Sequence, residues 1–178
     1  MSRDLTFEDS LEVLVGVLLR QRGMKLAVAE SCTGGLVGHR ITNVPGSSDY
    51  YLGSVSAYAY EAKERLLGVP HETLVTFGAV SHETALAMAS GVRRALAADV
   101  GLSVTGIAGP GGGLPNKPVG LVWIALSAPD GEWPFCYLWN GSRVENKALS
   151  AQAALQLLAD YLKGNIPTHS PAPCGANK

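Results

Sequence analysis

The stretch Lys25-Leu-Ala-Val-Ala29 reads as a short apolar strand. It empties directly into Glu30-Ser31-Cys32-Thr33-Gly34-Gly35, and a helical pattern starts near Leu36. A strand that turns into a helix through paired glycines is the first half of a βα unit. Chains built from such units fold as sheets covered by helices. The same turn crowds a hydroxyl, a carboxylate and two glycines in front of the unpaired N–H groups of the helix it opens. Donors of that kind hold a phosphate or a developing oxyanion, and Ser31 stands where a nucleophile would use them. A plainer reading stays open, in which Ser31 or Thr33 only caps the helix.

The alternation continues along the chain. Phe7 to Arg22 has a helical face of Phe7, Leu11, Leu14 and Leu18, with Thr6 as cap and Gly23 as stop. Leu36 to Thr42 is a helix ended by Asn43 and Pro45. Tyr50 to Tyr58 is a strand weakened by Gly53, and Glu61 to Leu67 is a short helix closed by Gly68. Val69 to Gly78 reads mostly as connection. From Ser81 to Ala98, Ala85, Met88, Ala89, Val92 and Leu96 recur at helical spacing. Leu102 to Ile107 is a strand that runs into a Gly/Pro-rich loop, Gly109 to Pro118. Val119 to Ser127 is an apolar, central strand. Asp130-Gly131 turns it onto Glu132 to Trp139, which Pro134 assigns to a sheet edge. A long amphipathic helix, Ser142 to Leu162, turns Val144, Ala148, Ala151, Leu155, Leu158 and Leu162 inward. The expected fold is α/β: a three-layer α/β/α sandwich with a mixed, mostly parallel sheet. It forms a single domain over residues 1–165, and a flexible, proline-rich tail follows over 166–178.

Composition narrows the function classes. With 178 residues, 47% of them hydrophobic and 16% charged, the chain can bury one substantial core. A net charge of -1 argues against a nucleic-acid binder that works by neutralising phosphates. No apolar run is long enough to span a bilayer, and the N-terminus lacks the basic and apolar regions of a secretory leader. Neither nucleic acid nor membrane is an expected partner. Cys32, Cys136 and Cys174 form no CxxC and no even framework, which fits a reducing cytoplasm. There is no GxxxxGK[ST] and no GxGxxG. His39, His71, His82 and His169 are scattered without metal-ligand spacing, so no metal and no cofactor is expected.

What remains is hydroxyls and isolated cations. Ser31 lies on the first turn, and Ser47 and Ser48 lie in a second small-residue turn after Gly46. Tyr58 ends a strand, Lys63 sits in the helix after it, and Thr105 nears the end of another strand. Arg143 opens the last helix, where the dipole disfavours a cation. Each has a structural reading as well: a turn former, a half-buried ring, a solvated charge, or a partner for Glu145. Strand ends in open α/β sheets are nevertheless where sites assemble.

Five blocks in order carry a family resemblance. They are Ala29-Glu30-Ser31-Cys32-Thr33-Gly34-Gly35; Gly46-Ser47-Ser48; Glu61-Ala62-Lys63 with Leu67-Gly68-Val69; Gly78-Ala79-Val80-Ser81; and Thr105-Gly106-Ile107-Ala108-Gly109-Pro110 with Lys117-Pro118-Val119-Gly120. Together they resemble the C-terminal domain of the competence/damage-inducible protein CinA over about residues 8–162. The resemblance implies a nicotinamide mononucleotide deamidase of pyridine nucleotide recycling, in its stand-alone form, with a small-molecule nucleotide as substrate. Ala59 and Tyr60 replace the family's Ser and Asn, Gly111 stands where Asp is usual, and Lys147 stands where a second arginine is often found.

Amide hydrolysis needs a nucleophile, a base and oxyanion donors. Without a suitable histidine or metal, Ser31 and Lys63 are the available pair, because burial lowers a lysine's pKa. Tyr58 would relay the proton or orient the pair, and the N–H groups of Thr33, Gly34 and Gly35 would form the oxyanion hole. Glu30, Ser47, Ser48, Thr105, Gly106 and Arg143 complete the expected substrate-binding set. A reading from another class is a non-catalytic nucleotide-binding or protein-interaction module, and the separation of Ser31 from Lys63 discriminates the two. Ala-rich helix faces and the aromatics Trp133, Phe135 and Trp139, taken as exposed, point to a homodimer.

Overall fold

A computed structural model describes residues 10–168. The expected cap at Thr6, the helix start at Phe7 and the tail beyond 168 lie outside these residues. The elements are α1 Leu11–Arg22, β1 Leu26–Glu30, α2 Leu36–Thr42, a 3-10 turn Ser47–Asp49, β2 Tyr51–Ser56, α3 Tyr60–Leu67, α4 His71–Phe77, α5 His82–Ala95, β3 Val100–Gly106, β4 Leu121–Ala128, β5 Gly131–Leu138 and α6 Arg143–Lys163.

The five strands form one sheet in the order β2-β1-β3-β4-β5. β1 lies parallel to β2 and to β3, and β4 is antiparallel to both its neighbours. The sheet is therefore mixed, with β4 the one reversed strand. Strand order reverses at β1, because the chain leaves β1 to one side for β2 and returns to its other side for β3. In open α/β sheets, the crevice beyond the carboxyl ends of two such strands receives ligands.

Alternating residues of β1 and β3 sort the helices into two outer layers. Leu26, Val28, Leu102 and Val104 pack with α1, α2 and α6 in the larger core. Ala27 and Ala29 face Met88 and Val92 of α5, along with Leu67 of α3 and Leu74 of α4. Ala85 and Ala89 of α5 meet Ala125 of β4. Small side chains bring α5 close to the sheet, and the fully buried Ser103 hydroxyl donates to the Ala85 carbonyl at 2.7 Å. The α/β/α sandwich is thus the observed fold. β5 holds the edge that Pro134 assigns to it, and the Pro129-Asp130 turn pairs Ala128 with Gly131.

Four expectations need correction. Val69 to Gly78 is not mostly connection: it contains α4, anchored by Leu74 at 1% exposure. One buried residue in two turns leaves no periodic signal for a sequence to show. In α1 the deepest residues are Val15 and Leu19, while Leu11, Leu14 and Leu18 flank them. Val144 is 75% exposed rather than inward. Trp133 and Trp139 pack against the core and Phe135 is buried, so the aromatic argument for a dimer surface fails. The edge strand turns these rings inward, under α6.

Candidate active site

β1 ends at Glu30, and the ladder continues past it. The Ser31 amide donates to the Val104 carbonyl at 2.9 Å, and the Ala57 amide donates to the Glu30 carbonyl at 2.8 Å. Ser31 is thereby held at the switch point, between the ends of β2 and β3. The chain then turns through Gly34 at φ 63° and Gly35 at φ 96°, left-handed values that glycine adopts without strain.

Lys63 comes from α3. Its side chain points back toward the helix start, as helical side chains do, and it is completely buried. Nζ lies 3.1 Å from Ser31 Oγ, 2.6 Å from the Ala57 carbonyl oxygen and 3.1 Å from the Tyr58 carbonyl oxygen. Three acceptors match the three donors of an ammonium. Burial pushes the Lys63 pKa down from 10.5 to about 8. A neutral amine keeps two N–H groups for the two carbonyls, which leaves its lone pair facing Ser31 Oγ. The geometry therefore suits a base that takes the serine proton. Cys32, next door, is no rival nucleophile: it is 5% exposed, and burial raises its thiol pKa to about 12.

Tyr58 meets Lys63 through its carbonyl rather than its phenol. The ring is 65% exposed, and its hydroxyl accepts a hydrogen bond from Arg143 Nη2 at 3.0 Å. The other guanidinium nitrogen, Nη1, donates to the Gly109 carbonyl at 2.8 Å. Arg143 thus spans from the β2–α3 loop to the Gly/Pro loop and has no carboxylate partner among the described residues. Glu145 is not that partner, because it closes a capping box with Ser142. One turn along α6, the Lys147 ammonium sits beside the serine turn, 3.8 Å from where a Cβ on Gly34 would lie. The site is cationic along this rim.

The remaining expected residues divide. The fully buried Glu30 carboxylate accepts from the amides of Gly35 (3.0 Å), Val37 (3.1 Å) and Gly38 (2.9 Å). It is therefore a cap inside the fold and not a substrate ligand. Gly34 N–H donates to the Ser31 carbonyl. Of the three expected oxyanion donors, only Thr33 N–H keeps no acceptor among the described residues; the Thr33 hydroxyl is buried and also unpartnered. Thr105 is 1% exposed and donates to the Ala79 carbonyl at 2.7 Å, which ties the Gly78–Ser81 loop to β3. Gly106 lets β4 approach: a Cβ there would lie 2.6 Å from Val122 Cγ2. Ser47 and Ser48 precede β2, whose first residue pairs with Leu26. They lie at the amino end of the parallel strands, the opposite end from Ser31, beside Arg20 and Lys25. The structure does not bring them to the site.

Sequence reasoning missed four contributors. The Ala57 carbonyl has no side-chain signal at all. Asn146, 1% exposed, donates to the Ala108 carbonyl and accepts from the Gly141 amide, which ties the Gly/Pro loop to the loop that leads into α6. A polar residue on the inner stripe of an amphipathic helix was its available mark. Tyr60 accepts from the Ala79 amide at 3.2 Å, and Lys117 donates to the Phe77 carbonyl, so both steady the loop beside Thr105.

This architecture defines an α/β/α protein with a buried serine–lysine pair at the switch point of its sheet. The CinA C-terminal domain family matches residues 8–162, and the chain belongs to that family. A CinA-like protein from Desulfotalea psychrophila is 51% identical over 158 residues, covering 89% of this chain and 38% of that protein. One from Synechocystis is 47% identical over 159 residues, covering 89% and 38%. The chain thus spans about two fifths of the length of these relatives. Among solved structures, the competence/damage inducible protein from Agrobacterium tumefaciens superposes with a TM-score of 0.81 at 39% identity, covering 86% of this chain and 95% of its own. A CinA superfamily protein from Klebsiella pneumoniae gives 0.84 at 30% identity, covering 86% and 96%.

Proposed function

We propose that the protein is an amidohydrolase that converts nicotinamide mononucleotide to the nicotinic acid mononucleotide and ammonia. The observation that carries this reading is the 3.1 Å contact between the buried Lys63 amine and Ser31 Oγ. A binding module has no need to bury an amine of lowered pKa against a serine. Ser31 Oγ attacks the carboxamide carbon while its proton passes to Lys63. The Thr33 amide faces the developing oxyanion. Collapse breaks the C–N bond, and Lys63 returns the proton to the departing ammonia. Water then attacks the ester on Ser31, giving its proton to Lys63 and releasing the acid as Ser31 is reprotonated. The nucleotide phosphate lies toward Arg143 and Lys147, cations without a carboxylate partner among the described residues.

Ammonia release tests this directly. The wild type releases ammonia from nicotinamide mononucleotide, and Ser31→Ala abolishes release while retaining the native circular dichroism spectrum. Binding without release in the wild type would favour a nucleotide-binding module instead. Retained turnover in Ser31→Ala would reduce Ser31 to a turn residue.

A further inference from the structure

We propose that Glu30 is the positioning residue that sets Ser31 and Lys63 against each other. The proposal rests on the reading of these two as nucleophile and base. Two independent links meet at this residue. Its carboxylate draws in three donors of the α2 start, with Oε2 taking the Gly35 and Val37 amides and Oε1 taking the Gly38 amide. That cage closes the turn from Ser31 to Gly35 back onto the strand that begins it. Its main-chain carbonyl holds the Ala57 amide at 2.8 Å, and the Ala57 carbonyl in turn holds Lys63 Nζ at 2.6 Å. One residue thus anchors the turn of the nucleophile through its side chain and the cradle of the base through its backbone.

The cage also decides where a substrate phosphate does not go. A helix start with free amides attracts anions, but this one is filled by the protein's own buried carboxylate. The phosphate is left to the cationic rim on α6. Glu30 touches no reacting atom, so its removal acts on the reaction rate and not on affinity.

The test uses Glu30→Gln, which keeps the shape but replaces one acceptor oxygen by an NH2 donor, and Glu30→Asp, which keeps the charge but falls one methylene short. For nicotinamide mononucleotide both variants lower kcat by roughly ten- to a hundredfold, as a misplaced reacting pair does, with KM changed less than about threefold. A second readout needs no substrate: the rate at which a phosphonofluoridate labels Ser31, measured by mass spectrometry against the exposed Ser48 in the same chain. Labelling of Ser31 falls in both variants while Ser48 is unaffected, and circular dichroism confirms that each is folded. If Gln fails to fold, the milder Asp variant carries the comparison. Unchanged kcat and unchanged labelling in a folded variant overturn the proposal. So does a rise in KM at constant kcat, which would make Glu30 a substrate contact, or a wild-type Ser31 no more reactive than Ser48. If the wild type labels at Ser31 but releases no ammonia, the deamidase reading falls and the labelling rates still decide the role of Glu30.

Discussion

At the scale of single residues, Lys63 is an ionisable group taken wholly out of water. Its amine is fully buried, and its hydrogen bonds go to two carbonyls and one hydroxyl. A base must lose a proton within reach of pH 7, and a pKa near 8 permits that. Arginine stays protonated, so Lys63→Arg is expected to be nearly as inactive as Lys63→Ala in the ammonia assay. Activity should climb with pH through about 8 as the amine becomes neutral, giving an acidic limb in the pH–rate profile. Stability follows the same titration. Between about pH 8 and 10.5 the unfolded chain holds a proton on Lys63 that the folded chain has released, so stability rises with pH there. Relative to Lys63→Met, the wild type should gain about 2 kcal/mol from pH 7 to pH 10 in urea melts. A constant difference would mean that the amine stays charged in the fold.

At the scale of elements, the start of α6 carries the cations to which the proposed function assigns the phosphate. In its first turn Val144 is exposed where the helical stripe expected it inward. Arg143 sits at the first helical position, against the dipole, and among the described residues bonds only neutral acceptors. Arg143→Ala should therefore lower kcat/KM for nicotinamide mononucleotide by roughly ten- to a hundredfold, the range of a charge-assisted bond. The dephosphorylated riboside should lose much less. Equal losses would put Arg143 near the amide or the ribose. Ser142→Ala removes the cap of the same helix, and about 1 kcal/mol of stability should go with it. Longer elements were legible because their periodicity was strong: α5 begins after its Ser81 cap as expected, and β5 lies at the edge that its proline demands. α4 was not legible, since its one buried residue, Leu74, gains its meaning only from α5 above it.

At the scale of the whole molecule, the close seating of α5 on the sheet sets the shape of the second core. Ala85, Ala89 and Ala125 meet at the centre of that contact, with Leu86 and Trp123 packed against them. Ala125→Leu overpacks it and should cost about 1–3 kcal/mol, seen as a lowered Tm, with ammonia release retained below the transition. Local physics, read from the sequence alone, determined the βα turn with its paired glycines, the alternation that makes a layered α/β fold, and the identity of Ser31 and Lys63 as the available pair. Each of these rests on neighbours within a few positions or on residue chemistry itself. Tertiary structure alone decided where the groups stand. Parallel pairing of β1 with β2 sends Ser47 and Ser48 to the far end of the sheet from Ser31, a consequence of strand direction that no local pattern contains. The ladder past Glu30 brings the Ala57 carbonyl to Lys63, and the fold turns the Glu30 carboxylate inward onto three amides. Those placements depend on which distant backbone groups come to face one another, and that is settled only when the strands pair and the helices close over them.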